Sequence, residues 1–328
     1  MGDYPDFPKD GLDFSVNVNP LGYPERVGKT LIENVTILSS YPDYHYRVVR
    51  KNVSEYLGIE EKFTALGNGS MELIDLLIQS ASRVLIMEPC FSEYRNRANI
   101  HGVPVELLEE SFLKKGDMVI LGNPNNPTGK LLELDIEKLY CKVRAVGAFL
   151  VLDETFIEFA DRERDSIEFF GSYNYDFCAI IRAATKFFGL PGLRFGYGAM
   201  SEGRVDMISK RQNPWSLNSM VEPISEVIFK DYEFISESKA LIREERERLE
   251  KLYEKLIDFT MMKTDANFYL LKMERISANE VFQFLLNCKI MARSFGPKIL
   301  GGEYLRFAIR TAEDNDRLIE ALKKAETI

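Results

Sequence analysis

At 328 residues, 45% hydrophobic and 28% charged, the chain has a globular composition and is long enough for a large domain plus a smaller one. A formal net charge of −9 argues against a nucleic-acid surface, which calls for a basic face, and no apolar run reaches the ~20 residues of a membrane helix. Four scattered cysteines (Cys90, Cys141, Cys178, Cys288) and two histidines (His45, His101) offer neither a disulfide framework nor metal-ligand spacing, so no metal is expected.

The opening stretch, MGDYPDFPKDGLDF, is acidic and carries prolines, unlike a signal or transit peptide, and points to the cytoplasm. Residues 1–30 are expected to form an arm or to join the smaller domain. Within LGNGSMELIDLLI (66–78), glycines lead into a helix that starts near Ser70, with Glu72 in its first turn. Such a helix start presents free N–H groups to a phosphate, although the same letters also read as an ordinary turn with an N-cap. RVLIMEP (83–89), DMVILGNP (117–124), AFLVLDE (148–154) and CAIIRAA (178–184) read as strands apolar on both faces. Alternating with helices, they predict an α/β domain built on a parallel sheet, placed at 31–225.

Past residue 230 the texture changes. ALIREERERLEKLYEKL (240–256) predicts a charged helix with an apolar stripe at Ile242, Leu249, Leu252, Tyr253 and Leu256, its charges forming a solvated face. NFYLLKM and EYLRFAIR read as strands, and AEDNDRLIEALKKAE as a closing helix capped by Thr311 with Asp314 three residues on. This gives a small α+β domain at 226–328.

Ligands of open α/β sheets bind at the carboxyl ends of the strands, and each predicted strand ends in reactive or turn-forming residues. AFLVLDE ends in Asp153 and Glu154, DMVILG runs into NPNNPTG, and CAIIRAA runs into Thr185 and Lys186. Lys186 stands among apolar residues and glycines, with Arg194 eight positions on. A lysine in such a pocket loses hydration, its pKa falls, and the amine can condense with an aldehyde. A nearby arginine favours a phosphate on the same molecule, and Asp153 would pair with a ring nitrogen. Phosphate, aldehyde and pyridine ring together describe pyridoxal 5′-phosphate. Taken singly, Lys186 also reads as a surface lysine and Asp153 as a helix cap.

NPNNPTG (123–129), DETFIEF (153–159) and TKFFGLPGLRFGYG (185–198), in that order, resemble the fold type I pyridoxal-phosphate enzymes of the class I/II aminotransferase superfamily. The resemblance covers nearly the whole chain. It implies that Lys186 is the cofactor-binding lysine, that Asp153 faces the pyridine nitrogen, and that Asn126 bonds the ring hydroxyl. It implies further that Arg194, Ser70 and Met71 surround the cofactor phosphate, that Thr185 also contacts the cofactor, and that Tyr94 stacks on the ring. Tyr41, in SSYPDY, would reach the cofactor phosphate of the neighbouring subunit, which makes the protein a homodimer. Arg306 would bind the substrate carboxylate, while Asn126 and Asn19 would also contact substrate.

Two branches of that superfamily share the YPD segment and an arginine thirteen residues before the carboxylate arginine, here Arg293. They are histidinol-phosphate aminotransferase and threonine-phosphate decarboxylase, and in both that arginine helps hold a substrate phosphate. DFSVNVNPLG (13–22), Phe156 in place of a common tyrosine, Thr185 in place of a common serine, and NPWSLN (213–218) resemble the decarboxylase branch. The chain departs from the pattern in two ways. It has no histidine before His45, where the decarboxylases carry a His- and Gly-containing segment, and Ala183 stands where either branch has a hydroxyl residue. Removal of the α-carboxylate from threonine phosphate yields aminopropanol phosphate, a cobalamin building block. The aminotransferase alternative belongs to histidine biosynthesis. A non-catalytic sensor domain of a transcription regulator is a third reading, disfavoured because fewer than about 40 residues precede the YPD turn, too few for a helix-turn-helix and linker. A nucleotide-binding oxidoreductase would need a glycine fingerprint that is missing.

Overall fold

The computed structural model describes residues 7–8, 10–161, 165–296 and 300–326. A short strand, β1 (Leu12–Asp13), leads through an extended segment to α1 (Glu25–Asn34) and α2 (Arg47–Leu57). From β2 (Thr64–Asn68) strands and helices alternate: α3 (Ser70–Ile78), β3 (Arg83–Ile86), α4 (Ser92–Ile100), β4 (Val105–Leu107), β5 (Asp117–Gly122), α5 (Ile136–Val146) and β6 (Phe149–Asp153). Then follow α6 (Ser166–Gly171), β7 (Cys178–Ala183), β8 (Phe195–Met200), α7 (Glu202–Arg211), α8 (Val221–Ile228) and α9 (Tyr232–Tyr253).

The seven strands β2 to β8 form one sheet in the order β2-β8-β7-β6-β5-β3-β4. Only β8 runs against its neighbours; the other pairings are parallel. Every residue of β5, β6, β7 and β8 is buried, as suits their apolar runs, interrupted only by Asp117, Asp153 and Arg182. Alternate residues enter opposite layers. Met118, Ile120 and Val151 pack with Ile74 and Leu77 of α3, while Val119, Leu121 and Leu150 pack with Leu139 and Val143 of α5. Each such side chain contributes roughly 1.5–3 kcal/mol by leaving water.

The C-terminal part holds β9 (Phe259–Met261), β10 (Phe268–Met273), α10 (Ala278–Asn287), β11 (Ile290–Met291), β12 (Arg293–Ser294), β13 (Tyr304–Ala308) and α11 (Ala312–Ala325). Four of these strands form an antiparallel sheet ordered β12-β13-β10-β9, and β11 pairs with β1 in parallel. That pairing ties residues 12–13 to the C-terminal part, and Phe14 O accepts from Ala308 N. Thr311 caps α11 by accepting from Asp314 N, as expected.

The charged helix differs from expectation. It starts at the Asp231 cap and ends at Tyr253, so Leu256 lies beyond it. Nor are its charges a plain solvated face. Glu245 is buried and accepts from Arg248 and from Asn315 of α11. Arg246 donates to the carbonyls of Thr264 and Phe159. Part of this polar side, at Glu245, Arg246 and Arg248, therefore joins α9 to neighbouring elements, while Arg243, Glu244, Glu247 and Lys251 stay exposed as expected.

Candidate active site

The carboxyl ends of β2, β5, β6 and β7 meet at one cavity of about 500 Å³. Its wall includes Ser70 and Met71 after β2, Asn126 after β5, Asp153 at the end of β6, and Thr185 and Lys186 after β7. Arg194, Arg293 and Arg306 add three guanidiniums to the lining, so the strand ends of the large sheet and residues of the C-terminal sheet converge on one cavity.

Lys186 has no anionic partner among the described residues. Its ammonium instead lies 6.0 Å from the centre of the Phe156 ring. Burial, with Arg306 and Arg194 adding like charge, brings its pKa down from 10.5 to about 8. About a tenth of the amine is thus unprotonated at pH 7, far more than for an ordinary lysine, and this is the form that attacks a carbonyl.

Behind it, the start of α3 forms an anion cradle. Gly69 at the N-cap has φ +76°, and its N–H donates to the carbonyl of Arg194 at 2.9 Å. Arg194 itself takes the left-handed conformation, φ 55°, as β8 begins. A Cβ on Gly69 would meet the Arg194 guanidinium, and one on Gly196 would meet Gly69 and Ser70 main-chain atoms. Only glycine permits this approach of strand, helix start and guanidinium. The first N–H groups of α3 and Arg194 together suit a phosphate dianion.

Asp153 is buried and held at three points. Its Oδ1 accepts from Thr155 N at 3.1 Å and Thr155 Oγ1 at 2.6 Å, and its Oδ2 accepts from the Tyr94 hydroxyl at 2.7 Å. Burial raises its pKa, opposed by the donors on Thr155 and Tyr94. A carboxylate so placed gains most from a cationic partner such as a protonated ring nitrogen.

Opposite, the Arg306 guanidinium donates to Asn126 Oδ1 at 2.6 Å and to the Ser15 carbonyl at 2.8 Å, and lies over the Phe268 ring. Its Nε has no acceptor. Burial and the like charge of Arg293 hold its pKa down to about 9. Because Asn126 accepts with its oxygen, its amide hydrogens stay available for a cofactor or substrate oxygen.

Asn19, expected at the substrate, does not line the cavity. Its amide donates to Phe187 O and Ser238 Oγ, and its Oδ1 accepts from Leu21 N. With its N–H on the carbonyl of Lys186, it secures the backbone of the lysine loop from behind. Asn17 faces the cavity instead, and its buried Oδ1 accepts no hydrogen bond. In an extended segment residues 17 and 19 point the same way, so alternation alone does not separate them. The aromatic wall contains Phe91 as well as Tyr94, the two rings edge to face at 5.6 Å. Tyr41 is 79% exposed and packs against Trp215 at 4.5 Å, outside this cavity. Ala183 is wholly buried opposite Gly196 and adds nothing polar to the cradle.

Comparison with known proteins agrees with this geometry. Residues 9–322 match the model of the family aminotransferase class I and II. The chain belongs to that family. A Caldanaerobacter subterraneus protein named, provisionally, a threonine-phosphate decarboxylase is 33% identical, covering 94% of this chain and 88% of that one. The threonine-phosphate decarboxylase of Salmonella typhimurium is 30% identical over 98% of this chain and 92% of its own. Among solved structures, the histidinol-phosphate aminotransferase of Clostridium acetobutylicum superposes with a TM-score of 0.89 at 33% identity, covering 96% of this chain and 99% of that one. The protein is a pyridoxal-phosphate enzyme of fold type I. The glycine cradle, the buried carboxylate and the depressed lysine fit that cofactor.

Proposed function

We propose that the protein removes the α-carboxylate from L-threonine O-3-phosphate, releasing carbon dioxide and aminopropanol phosphate. The observation that carries this reading is the pair Arg293 and Arg306, opposite one another on adjacent strands and both on the cavity. Two guanidiniums suit a substrate with two anionic groups, and threonine phosphate has a phosphate and a carboxylate. Phe156 supports the same reading, since it gives the cofactor oxygen no phenol donor.

Bound pyridoxal 5′-phosphate supplies an aldehyde for the substrate amine and a ring that draws the electron pair from the breaking bond. Lys186 would hold the cofactor through its amine, and that amine is able to carry a proton at the α-carbon. Asp153 keeps the ring nitrogen protonated. Arg306, with its unspent Nε–H, orients the carboxylate, and Arg293 holds the phosphate. Ser70, Met71, Thr185 and Arg194 hold the cofactor phosphate, and Asn126 its ring hydroxyl. A second copy of the chain would cover the exposed Ile32, Leu38, Tyr41 and Trp215 and bring Tyr41 to its neighbour's cofactor.

Aminotransfer from histidinol phosphate is the second reading, supported by the 33% identity to the Clostridium acetobutylicum enzyme. Cofactor-loaded protein incubated with O-phospho-L-threonine separates the two. Stoichiometric carbon dioxide and aminopropanol phosphate without a keto acid is the expected result. Glutamate formed from histidinol phosphate and 2-oxoglutarate, with no carbon dioxide from phosphothreonine, would overturn it.

A further inference from the structure

We propose that Tyr94 is a positioning residue that acts on the cofactor ring nitrogen through Asp153, its hydroxyl limiting the carboxylate to a single free acceptor site that faces the cavity. This inference rests on the cofactor assignment above and is independent of whether the enzyme decarboxylates or transaminates.

An ionised carboxylate offers about four acceptor sites, two on each oxygen. On Asp153, both sites of Oδ1 are taken, one by the N–H and one by the hydroxyl of Thr155. One site of Oδ2 is taken by Tyr94 at 2.7 Å. One site on Oδ2 remains, and Asp153 lines the cavity. Three donors fix the plane of the carboxylate and its rotation, so the last lone pair has one direction.

Tyr94 is well suited to this task. It stands in the first turn of α4, fully buried, with its ring edge against Phe91. Burial and the neighbouring Asp153 raise its pKa well above 10, so it remains a donor at every working pH. Its hydroxyl also offsets part of the desolvation that pushes Asp153 toward the neutral acid. A neutral Asp153 could not hold a proton on the ring nitrogen. Tyr94 thus keeps the carboxylate ionised and aimed, without touching the nitrogen itself.

The test uses the whole protein, titrated with pyridoxal 5′-phosphate and with its 1-deaza analogue, in which C–H replaces the ring nitrogen. Dissociation constants are read by fluorescence and the bound-cofactor absorbance is followed against pH. Tyr94→Phe keeps the ring and removes the hydroxyl. It is expected to weaken pyridoxal 5′-phosphate about tenfold, as loss of a bond to a charged group does, while binding of the deaza analogue changes less than about twofold. The pH at which the ring nitrogen loses its proton should fall. Thr155→Val, which removes a donor from Oδ1, should give the same selective pattern and carries the comparison if Tyr94→Phe is poorly folded. Equal losses on both cofactors would overturn the proposal, because the hydroxyl would then act on cofactor binding without regard to the ring nitrogen. Unchanged binding of both would overturn it too. Wild-type protein that binds the deaza analogue as tightly as the natural cofactor would remove Asp153 from its assigned role.

Discussion

Arg293 and Arg306 face each other across β12 and β13, in direct register, with both side chains on the cavity. Residues so placed have Cβ atoms only about 5 Å apart, and like charges there oppose one another. An anionic group on each guanidinium would relieve that repulsion, and on the proposed reading the pair would receive the two anionic groups of one substrate. Arg293→Ala should therefore lower kcat/KM for phosphothreonine about 100-fold, in line with loss of charge-assisted bonds, and that for unphosphorylated threonine less than about threefold. Parallel steady-state assays on the two substrates decide it. An equal loss on both would remove Arg293 from the phosphate site.

Lys186 places an ammonium in a desolvated wall beside two guanidiniums, and this has a sign. Its pKa falls from 10.5 unfolded to about 8 folded, so between those values the unfolded chain binds more protons. Stability contributed by this group rises with pH across that window, and its full penalty is present below pH 8. Lys186→Met, which removes the charge and fills the space, should stabilise the cofactor-free protein at pH 7 by at most on the order of 3 kcal/mol. The advantage should shrink as pH rises toward 10.5. Denaturant midpoints of the two proteins at pH 7 and pH 10 measure it.

The strand ends that build the site were legible because their chemistry sits beside their hydrophobic pattern. AFLVLDE announces both a buried strand and the carboxylate that leaves it, and CAIIRAATK does the same for Lys186. Less was legible where function depends on which way a side chain turns. Asn17 and Asn19 share a face of one extended segment, and only packing against Ser238, distant in sequence, takes Asn19 out of the cavity. Tyr94 reads as any aromatic until its hydroxyl is seen on Asp153. The strands β1, β11 and β12 are two residues each, too short for any periodicity. The charged face of α9 is solvated at Arg243, Glu244, Glu247 and Lys251, as read, but the roles of Glu245 and Arg246 were not legible because their partners, in α11 and at Thr264 and Phe159, come from elsewhere in the chain.

Gly196 tests the cradle without touching a charged group. A Cβ there would collide with Gly69 C and Ser70 N, backbone atoms that cannot step aside. Gly196→Ala should push the start of α3 away from Arg194. Affinity for pyridoxal 5′-phosphate should fall more than tenfold, with inorganic phosphate competing less well, and global stability should drop by about 1–3 kcal/mol as for other overpacked sites. Isothermal titration and a denaturant curve measure the two effects. A variant with normal cofactor affinity would show that the cradle is not where the phosphate binds.

Glu72 links that cradle to the segment that carries Trp215. Its carboxylate accepts from Asn68 N at 2.7 Å and Gln212 Nε2 at 2.8 Å, and also from the Ser216 hydroxyl. A negative charge in the first turn of α3 is favoured by the helix dipole. These bonds hold residues 212–216 against the helix start, and Trp215, next to Ser216, packs on Tyr41 with the rings tilted at 33°. Glu72→Gln keeps the shape but turns one acceptor into a donor facing other donors. We expect a stability loss of about 1–3 kcal/mol and a several-fold weaker hold on the cofactor, although Glu72 does not line the cavity. Trp215 is already partly exposed, and its fluorescence should become more open to soluble quenchers still. If cofactor affinity falls while the quenching of Trp215 stays unchanged, Glu72 acts on α3 alone. If both change together, the cradle and the Tyr41 surface move as one unit.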